Sequence, residues 1–165
     1  MPQDDRALLA RLNQHRVDFV IVGGVACVLY GTSYVTYDLD ICIRLAAENF
    51  YRIQAALEDL HPCHRLTPQK LPLELTDELC ARLKNMYLQT DLGALDCLGD
   101  IAGIGDYDKV AGCSITMSFP FGDCRVLSLD SLIASKEAAN RDKDSYALRF
   151  LRAIKDRPKA GGSVK

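Results

Sequence analysis

Residues 23–41, GGVACVLYGTSYVTYDLDI, are the most informative part of the sequence for predicting the fold. A short β-branched apolar run, residues 17–22, precedes the pair Gly23 and Gly24, and this run predicts a buried strand. Residues 25–30 then predict a short helix. Glycines between a strand and a helix let the backbone approach a phosphate closely, and the helix N-terminus presents free N–H groups. Many ordinary tight turns also use such a pair, so the glycines alone leave both interpretations open.

The second informative feature is the alternation of acidic and aliphatic residues in DLDICI, residues 38–43. Because side chains alternate between the two faces of a strand, Asp38 and Asp40 are predicted on one face. Two carboxylates without an adjacent cation suit a divalent metal better than they suit each other. Asp96, in the core-like strand pattern GALDCL, is predicted as a third carboxylate, because burying an unpaired acid is costly. Asp91 is the alternative if the strand register differs.

Three aspartates close together, beside a glycine pair that could bind a phosphate, predict a two-metal site. Such a site catalyses in-line displacement at phosphorus. Metal ions about 3.5–4 Å apart can hold the attacking oxygen and the leaving pyrophosphate. The alternative is that these aspartates have no catalytic role. Asp38 and Asp40 would then lie on a solvated strand face, and Asp96 would be capped by a backbone N–H group or paired with a lysine.

The rest of the chain predicts an α+β fold in which a small mixed β-sheet is packed by helices. Helices are expected over residues 5–15, 46–60 and 131–155, the last with a break near Arg141. Strands are expected over residues 86–90, 92–98, 114–119 and 124–127. Residues 61–83 contain three prolines and permit no assignment. We expect a single domain over residues 1–157, onto which C-terminal helices at about 129–157 pack, and a disordered tail over residues 158–165.

Composition excludes several classes of protein. The 165 residues are 48% hydrophobic and 25% charged with a net charge of -2, which fits neither a disordered chain nor a strongly basic nucleic-acid binder. No apolar run approaches the roughly 18 residues of a membrane span, and the acidic N-terminus is unlike a signal peptide.

The seven cysteines form no C-x-x-C pair, which predicts reduced thiols. The motif HPCH, residues 61–64, lacks a second ligand group at zinc spacing and favours a loop. We expect a soluble, cytoplasmic protein without a membrane partner.

The sequence resembles the signature of the DNA polymerase β-like nucleotidyltransferase superfamily. It is most similar to the small bacterial members, which include toxin–antitoxin and abortive-infection nucleotidyltransferases. The resemblance lies in Gly23-Gly24, Tyr30-Gly31, Thr36 and Asp38-Leu39-Asp40. Residues 132–148, LIASKEAANRDKDSYAL, are similar to a Lys…Arg-x-Lys-Asp helix of those proteins, so the resemblance covers roughly residues 15–155.

This resemblance implies an enzyme that moves a nucleoside monophosphate from an NTP to an acceptor hydroxyl and releases pyrophosphate, with two Mg²⁺ ions. Asp38, Asp40 and Asp96 would be the metal ligands and catalytic residues. The nucleotide would contact Gly23, Gly24, Thr36 and Lys136, with Arg141 and Lys143 either there or at the acceptor. The acceptor would be RNA, a protein or a small molecule. Because the chain leaves little room for an acceptor domain, a partner protein is also expected.

One departure from the family pattern leaves other functions open. Tyr34 stands where relatives commonly carry arginine, which weakens phosphate binding or changes substrate choice. A catalytically degenerate protein that acts as a regulatory or interaction module is therefore the second hypothesis, and a phosphoester hydrolase is the third. Residues 136–159 hold eight Lys or Arg and four Asp or Glu, which suits either a phosphate-bearing substrate or a solvated helix face.

Overall fold

A computed structural model describes residues 3–33, 35–142 and 144–157 of the chain. Its helices are α1 (Asp5–Gln14), α2 (Gly23–Leu29), α3 (Ala47–Leu57), α4 (Asp77–Cys80), α5 (Tyr107–Gly112), α6 (Leu129–Ala139) and α7 (Asp144–Lys155). A 3₁₀ turn follows α3 at Glu58–Leu60. The strands are β1 (Phe19–Ile21), β2 (Asp38–Ile43), β3 (Cys63–His64), β4 (Asn85–Thr90), β5 (Gly93–Leu98), β6 (Asp100–Ile101), β7 (Gly105–Asp106), β8 (Ser114–Phe119) and β9 (Gly122–Leu127).

Within the described residues, seven strands form one mixed sheet in the order β3-β4-β5-β2-β1-β9-β8. The pairs β2–β5 and β1–β9 are parallel, and the other pairs are antiparallel. The two short strands β6 and β7 form a separate ribbon. This architecture confirms the predicted α+β fold with a mixed sheet packed by helices.

The core lies around the central strands, most of whose aliphatic side chains are buried. Leu39 and Ile41 of β2 are fully buried, whereas the aspartates that alternate with them are partly exposed. Helices α1 and α3 contribute Leu8, Leu12 and Phe50 to the same core. The strand period therefore places the aliphatic side chains of DLDICI in the core and leaves the two carboxylates on the other face.

Several boundaries differ from the sequence prediction. Helix α2 begins at Gly23, two residues earlier than predicted, so both glycines lie in its first turn rather than before it. The predicted strand 17–22 is shorter at both ends, because only Phe19–Ile21 pairs with neighbouring strands. The predicted break near Arg141 is confirmed, since Asn140 ends α6 in the left-handed conformation. The sequence pattern missed α5 and the β6–β7 ribbon, elements too short to show a clear period.

Two further predictions concern the chain termini and membranes. The predicted tail at residues 158–165 lies outside the described residues. Among the helices of the described segments, none is both long enough and apolar enough to cross a membrane.

Candidate active site

The centre of the candidate site is a group of three carboxylates on two parallel strands. Asp40 of β2 lies directly opposite Asp96 of β5, and Asp38 precedes Asp40 by two residues on the same face of the sheet. One oxygen from each side chain lies within 4.8 Å of the others. Asp91 lies elsewhere and faces His61, whose Nδ1 is 2.7 Å from Asp91 Oδ2. The structure thus brings Asp96, and not Asp91, to the D-x-D pair.

Burial, together with the neighbouring carboxylates, raises the pKa of Asp40 to about 6. Burial of the carboxyl is the largest cause, and the negative charges of Asp38 and Asp96 add to it. The backbone N–H of Gly24 and the guanidinium of Arg141 act in the opposite direction. Three oxygen donors that disfavour one another's charge form a set that suits a divalent cation, because the ion removes the repulsion.

The glycine pair lies directly against Asp40. Gly23 has a φ of +62°, a conformation that disfavours residues with a Cβ atom. A Cβ at this position would also lie 2.0 Å from Asp40 Oδ2. The N–H of the preceding Val22 donates to the Asp40 carbonyl at 3.1 Å, which ties the end of β1 to β2. Gly23 therefore makes room for the carboxylate, a requirement that the sequence alone does not reveal.

Thr36, a predicted nucleotide-binding residue, forms hydrogen bonds with Asp38. Its hydroxyl oxygen is 2.8 Å from the Asp38 carbonyl oxygen and 3.2 Å from Asp38 Oδ1. The hydroxyl donates to Asp38 and orients the entry into β2. The structure thus gives Thr36 a positioning contact with the carboxylate group.

The predicted basic residues meet at the junction of α6 and α7. Lys136 is 4% exposed, and its Nζ donates to Asp144 Oδ1 at 2.7 Å. Arg141, whose side chain is 54% exposed, donates from Nε to Asp144 Oδ2 at 2.7 Å. Burial raises the pKa of Asp144, but these hydrogen bonds outweigh it and leave that pKa below its ordinary value. Asp144 therefore binds both cations, a role that the sequence analysis did not assign. Lys143 and Tyr34, named in the sequence analysis, lie outside the described residues.

A cavity of about 190 Å³ lies between Asp40 of β2 and helix α6. Its lining combines Gly23 and Asp40 with the two cationic residues Lys136 and Arg141. Apolar side chains, among them Leu132 of α6, line other parts of it. The cavity thus lies between Asp40 and the two cations, and Asp100 adds a second carboxylate to its lining.

Arg65, a residue that no sequence pattern singles out, binds the carboxylate group directly. Arg65 Nη2 is 2.6 Å and 2.5 Å from the two oxygens of Asp96, and Nε is 3.1 Å from Asp96 Oδ1. Nη2 also lies 3.6 Å from Asp38 Oδ2. Arg65 follows β3 in the stretch 61–83 that permitted no assignment, and no local pattern marked it. Only the pairing of β3 with β4 brings it to the site.

The histidine and cysteine residues of HPCH do not form a metal cluster. Cys63 and His64 form β3, and His61 is exposed beside Asp91. Within the described part of the chain, the three aspartates are the one group of His, Cys, Asp or Glu side chains that could share an ion. All seven cysteines are free thiols.

The fold is shared with solved nucleotidyltransferase structures. No protein-family model matches the sequence, and no curated protein matches it at the sequence level. The lincosamide antibiotic adenylyltransferase LnuA, solved with lincomycin, superposes with a TM-score of 0.60 at 15% identity over 93% of this chain and 99% of that one.

Two further structures superpose with a TM-score of 0.57. ANT(2'')-Ia, solved with adenylyl-2''-tobramycin, is 15% identical over 89% of this chain and 84% of its own. A Thermotoga maritima protein, provisionally assigned as a nucleotidyltransferase, is 18% identical over 92% of this chain and 91% of its own. The chain therefore shares the fold of these nucleotidyltransferase structures, in agreement with the fold that the sequence resemblance implies.

Proposed function

We propose that this protein is a divalent-metal-dependent nucleotidyltransferase, which moves a nucleoside monophosphate from an NTP to an acceptor hydroxyl and releases pyrophosphate. The observation that carries the proposal is the alignment of Asp40 with Asp96, with Asp38 on the same face. This carboxylate group adjoins a cavity whose wall includes Lys136 and Arg141. Carboxylates next to cations are the arrangement that a triphosphate with its metal ions requires. The shared fold supports the same activity.

The metal ligands would be Asp38, Asp40 and Asp96, and two Mg²⁺ ions are proposed. Carboxylate oxygens are the ligands that Mg²⁺ prefers. Burial is the main cause of the raised pKa of Asp40, and the charges of Asp38 and Asp96, which a bound cation would offset, add to it. When bound, the metal supplies Lewis-acid stabilisation of the charge that develops on the transferred phosphoryl group.

The protein's own residues would bind and orient the substrates. Lys136 and Arg141, which line the cavity beside Asp40, are proposed to bind the phosphates, and Lys143 is proposed to assist them. Gly23 and Gly24 would lie against the triphosphate.

The chemical step is a displacement at the α-phosphorus. The acceptor oxygen bonds to that phosphorus while the bond from phosphorus to the bridging oxygen breaks, and pyrophosphate leaves with the bonding electron pair. Asp96 is proposed to accept the proton of the acceptor hydroxyl. Thr36 would keep Asp38 in place during the step through its contact at 2.8 Å.

We propose a small-molecule hydroxyl as the first acceptor class to test. Two of the similar structures are named for antibiotics or their adenylylated products, lincomycin and adenylyl-2''-tobramycin. RNA and protein hydroxyls remain the other acceptor classes.

A thermal-shift panel tests nucleotide binding. The four NTPs are added with and without Mg²⁺ to the wild type, to Asp40→Asn and to Asp130→Asn. Asp130 pairs with Lys155 and is outside the carboxylate group, so its variant is the matched control. We expect a Mg²⁺-dependent increase in Tm for the wild type and the control, which Asp40→Asn loses. Each variant needs its own baseline, since removal of a repelling carboxylate changes the stability of the free protein.

A turnover assay tests the transfer itself. Each NTP, labelled at the α-phosphate, is incubated with Mg²⁺ and with lincosamides, aminoglycosides, tRNA or protein, and both labelled acceptor and pyrophosphate are measured. We expect equal amounts of the two products, and a loss of at least about a hundredfold in Asp38→Asn and Asp40→Asn. Release of free monophosphate without labelled acceptor would identify a hydrolase instead. Absence of both nucleotide binding and turnover would refute the enzyme and favour the regulatory module.

A further inference from the structure

The guanidinium of Arg65 lies where a bound cation would compete with it. Its Nη2 is within 2.6 Å of both Asp96 oxygens and 3.6 Å from Asp38 Oδ2. Two of the three carboxylates that could share an ion thus already face a positive charge. A guanidinium fork on a carboxylate occupies the lone pairs that a metal ion would use.

The surroundings of Arg65 permit the guanidinium to leave without unfolding the sheet. Its backbone N–H donates to the Tyr87 carbonyl at 2.9 Å, so the main chain is held to β4. The side chain is 29% exposed, whereas that of Asp96 is only 8% exposed. The guanidinium also lies over the Tyr87 ring, 5.8 Å from the centroid. The long side chain can therefore turn to solvent while Asp96 stays in place.

We propose that Arg65 is a built-in counter-ion of the metal-free site. It balances the charge of Asp96 and Asp38, and a divalent cation must displace it from Asp96 in order to bind. Arg65 thereby sets the metal affinity of the site and restrains occupancy at low metal concentration. This inference rests on the metal site of the proposed function.

Divalent-cation affinity provides the first test, on the full chain after treatment with a chelator. Mn²⁺ binding is measured from the signal of the free ion in electron paramagnetic resonance, and Mg²⁺ binding by calorimetry. The proteins are the wild type, Arg65→Gln, Arg65→Lys and the control Arg11→Gln. Arg11 forms a similar fork with Asp59, at 2.5 Å and 2.8 Å, away from the carboxylate group.

We expect Arg65→Gln to bind the metal about ten- to a hundredfold more tightly, because no charged hydrogen bonds must be broken. Arg65→Lys keeps the charge without the fork and should give an intermediate affinity. Arg11→Gln should match the wild type. Equal or weaker binding by folded Arg65→Gln would overturn the inference and leave the proposed function intact. Absence of binding in every protein would overturn both.

The Nε–H resonance of Arg65 gives a second test that needs no variant of the site to fold. In ¹⁵N spectra of the metal-free wild type, this proton should exchange slowly, since Nε is 3.1 Å from Asp96 Oδ1. Saturating Mg²⁺, which is diamagnetic, should shift the resonance or remove it through faster exchange with water. An unchanged resonance at a Mg²⁺ concentration that calorimetry shows to be saturating would overturn the inference.

Discussion

A Cβ atom on Gly23 would lie 2.0 Å from Oδ2 of Asp40, far inside van der Waals contact. The glycine at the start of α2 and the aspartate of β2 are therefore one structural unit. Any side chain at position 23 would displace the carboxylate of Asp40, which lines the cavity.

Gly23→Ala should be strongly destabilising. The positive φ of +62° and the overlap with Asp40 act together, and we expect a loss of roughly 2–5 kcal/mol in the free energy of unfolding. Denaturant unfolding measures it. Gly31→Ala is the control for backbone strain alone, because Gly31 has a φ of +92° and open space around its Cβ position. If Gly23→Ala lost no more stability than Gly31→Ala, the inference that a Cβ at position 23 overlaps Asp40 would be wrong.

The stability of the metal-free protein should decrease as the pH rises through about 6. The pKa of Asp40 is about 6 in the folded chain, above its ordinary value, so the folded state binds a proton more tightly than the unfolded state does. The stabilisation is fully present below the unfolded pKa of about 3.9 and is lost as the pH rises through 6.

Thermal unfolding between pH 4 and pH 8 tests this prediction. His61 beside Asp91 also has a raised pKa and contributes with the same sign, so the informative quantity is the difference from Asp40→Asn. The stability of Asp40→Asn should fall less between pH 4 and pH 8 than that of the wild type, whereas Asp130→Asn should behave like the wild type. A bound divalent cation should reverse the trend, because it favours the ionised carboxylate. An identical pH profile in wild type and Asp40→Asn would contradict the assignment.

Asp144→Asn should cost about 3–5 kcal/mol of stability, because it removes the charge that balances the buried Lys136. Asp130→Asn is the matched control. It breaks another Lys–Asp pair with the same 2.7 Å separation, but one that is exposed, and should cost less than about 1 kcal/mol. If denaturant unfolding gave equal losses of stability for the two variants, burial would add nothing to the Lys136–Asp144 pair. The lowered pKa of Asp144 means that its contribution is present near neutral pH and disappears as the pH falls through that pKa.

Asn49→Asp should destabilise the junction of α3 with β1 and β2. Asn49 is 2% exposed and accepts from the Asp18 N–H at 2.7 Å. Its amide donates to the carbonyls of Asp18 and Arg44 at 3.1 Å and 3.0 Å. An aspartate would direct an oxygen at two carbonyl oxygens, which we expect to cost roughly 2–4 kcal/mol. Asn13→Asp, which loses one bond of 3.3 Å to Phe121, should cost about 1 kcal/mol in the same unfolding experiment.

The face on which Asp38 and Asp40 lie follows from the sequence, because the strand period of two is local. The aliphatic residues of DLDICI had to enter the core, and the aspartates therefore faced the other way. The break near Arg141 was also predictable, and Asn140 provides it. Helix α5 and the β6–β7 ribbon were not, since a helix of six residues spans fewer than two turns and a strand of two residues shows no alternation.

The fold class and two members of the carboxylate group follow from local residue patterns, because helix and strand periods and the alternation within DLDICI are properties of neighbouring residues. The choice between Asp96 and Asp91 required the three-dimensional structure, because it depends on the parallel register of β2 with β5. The tertiary structure alone brought Arg65 to Asp96 and Asp144 to Lys136. Contacts between charges on separate elements depend on how the elements pack, and no local pattern of residues encodes that distance.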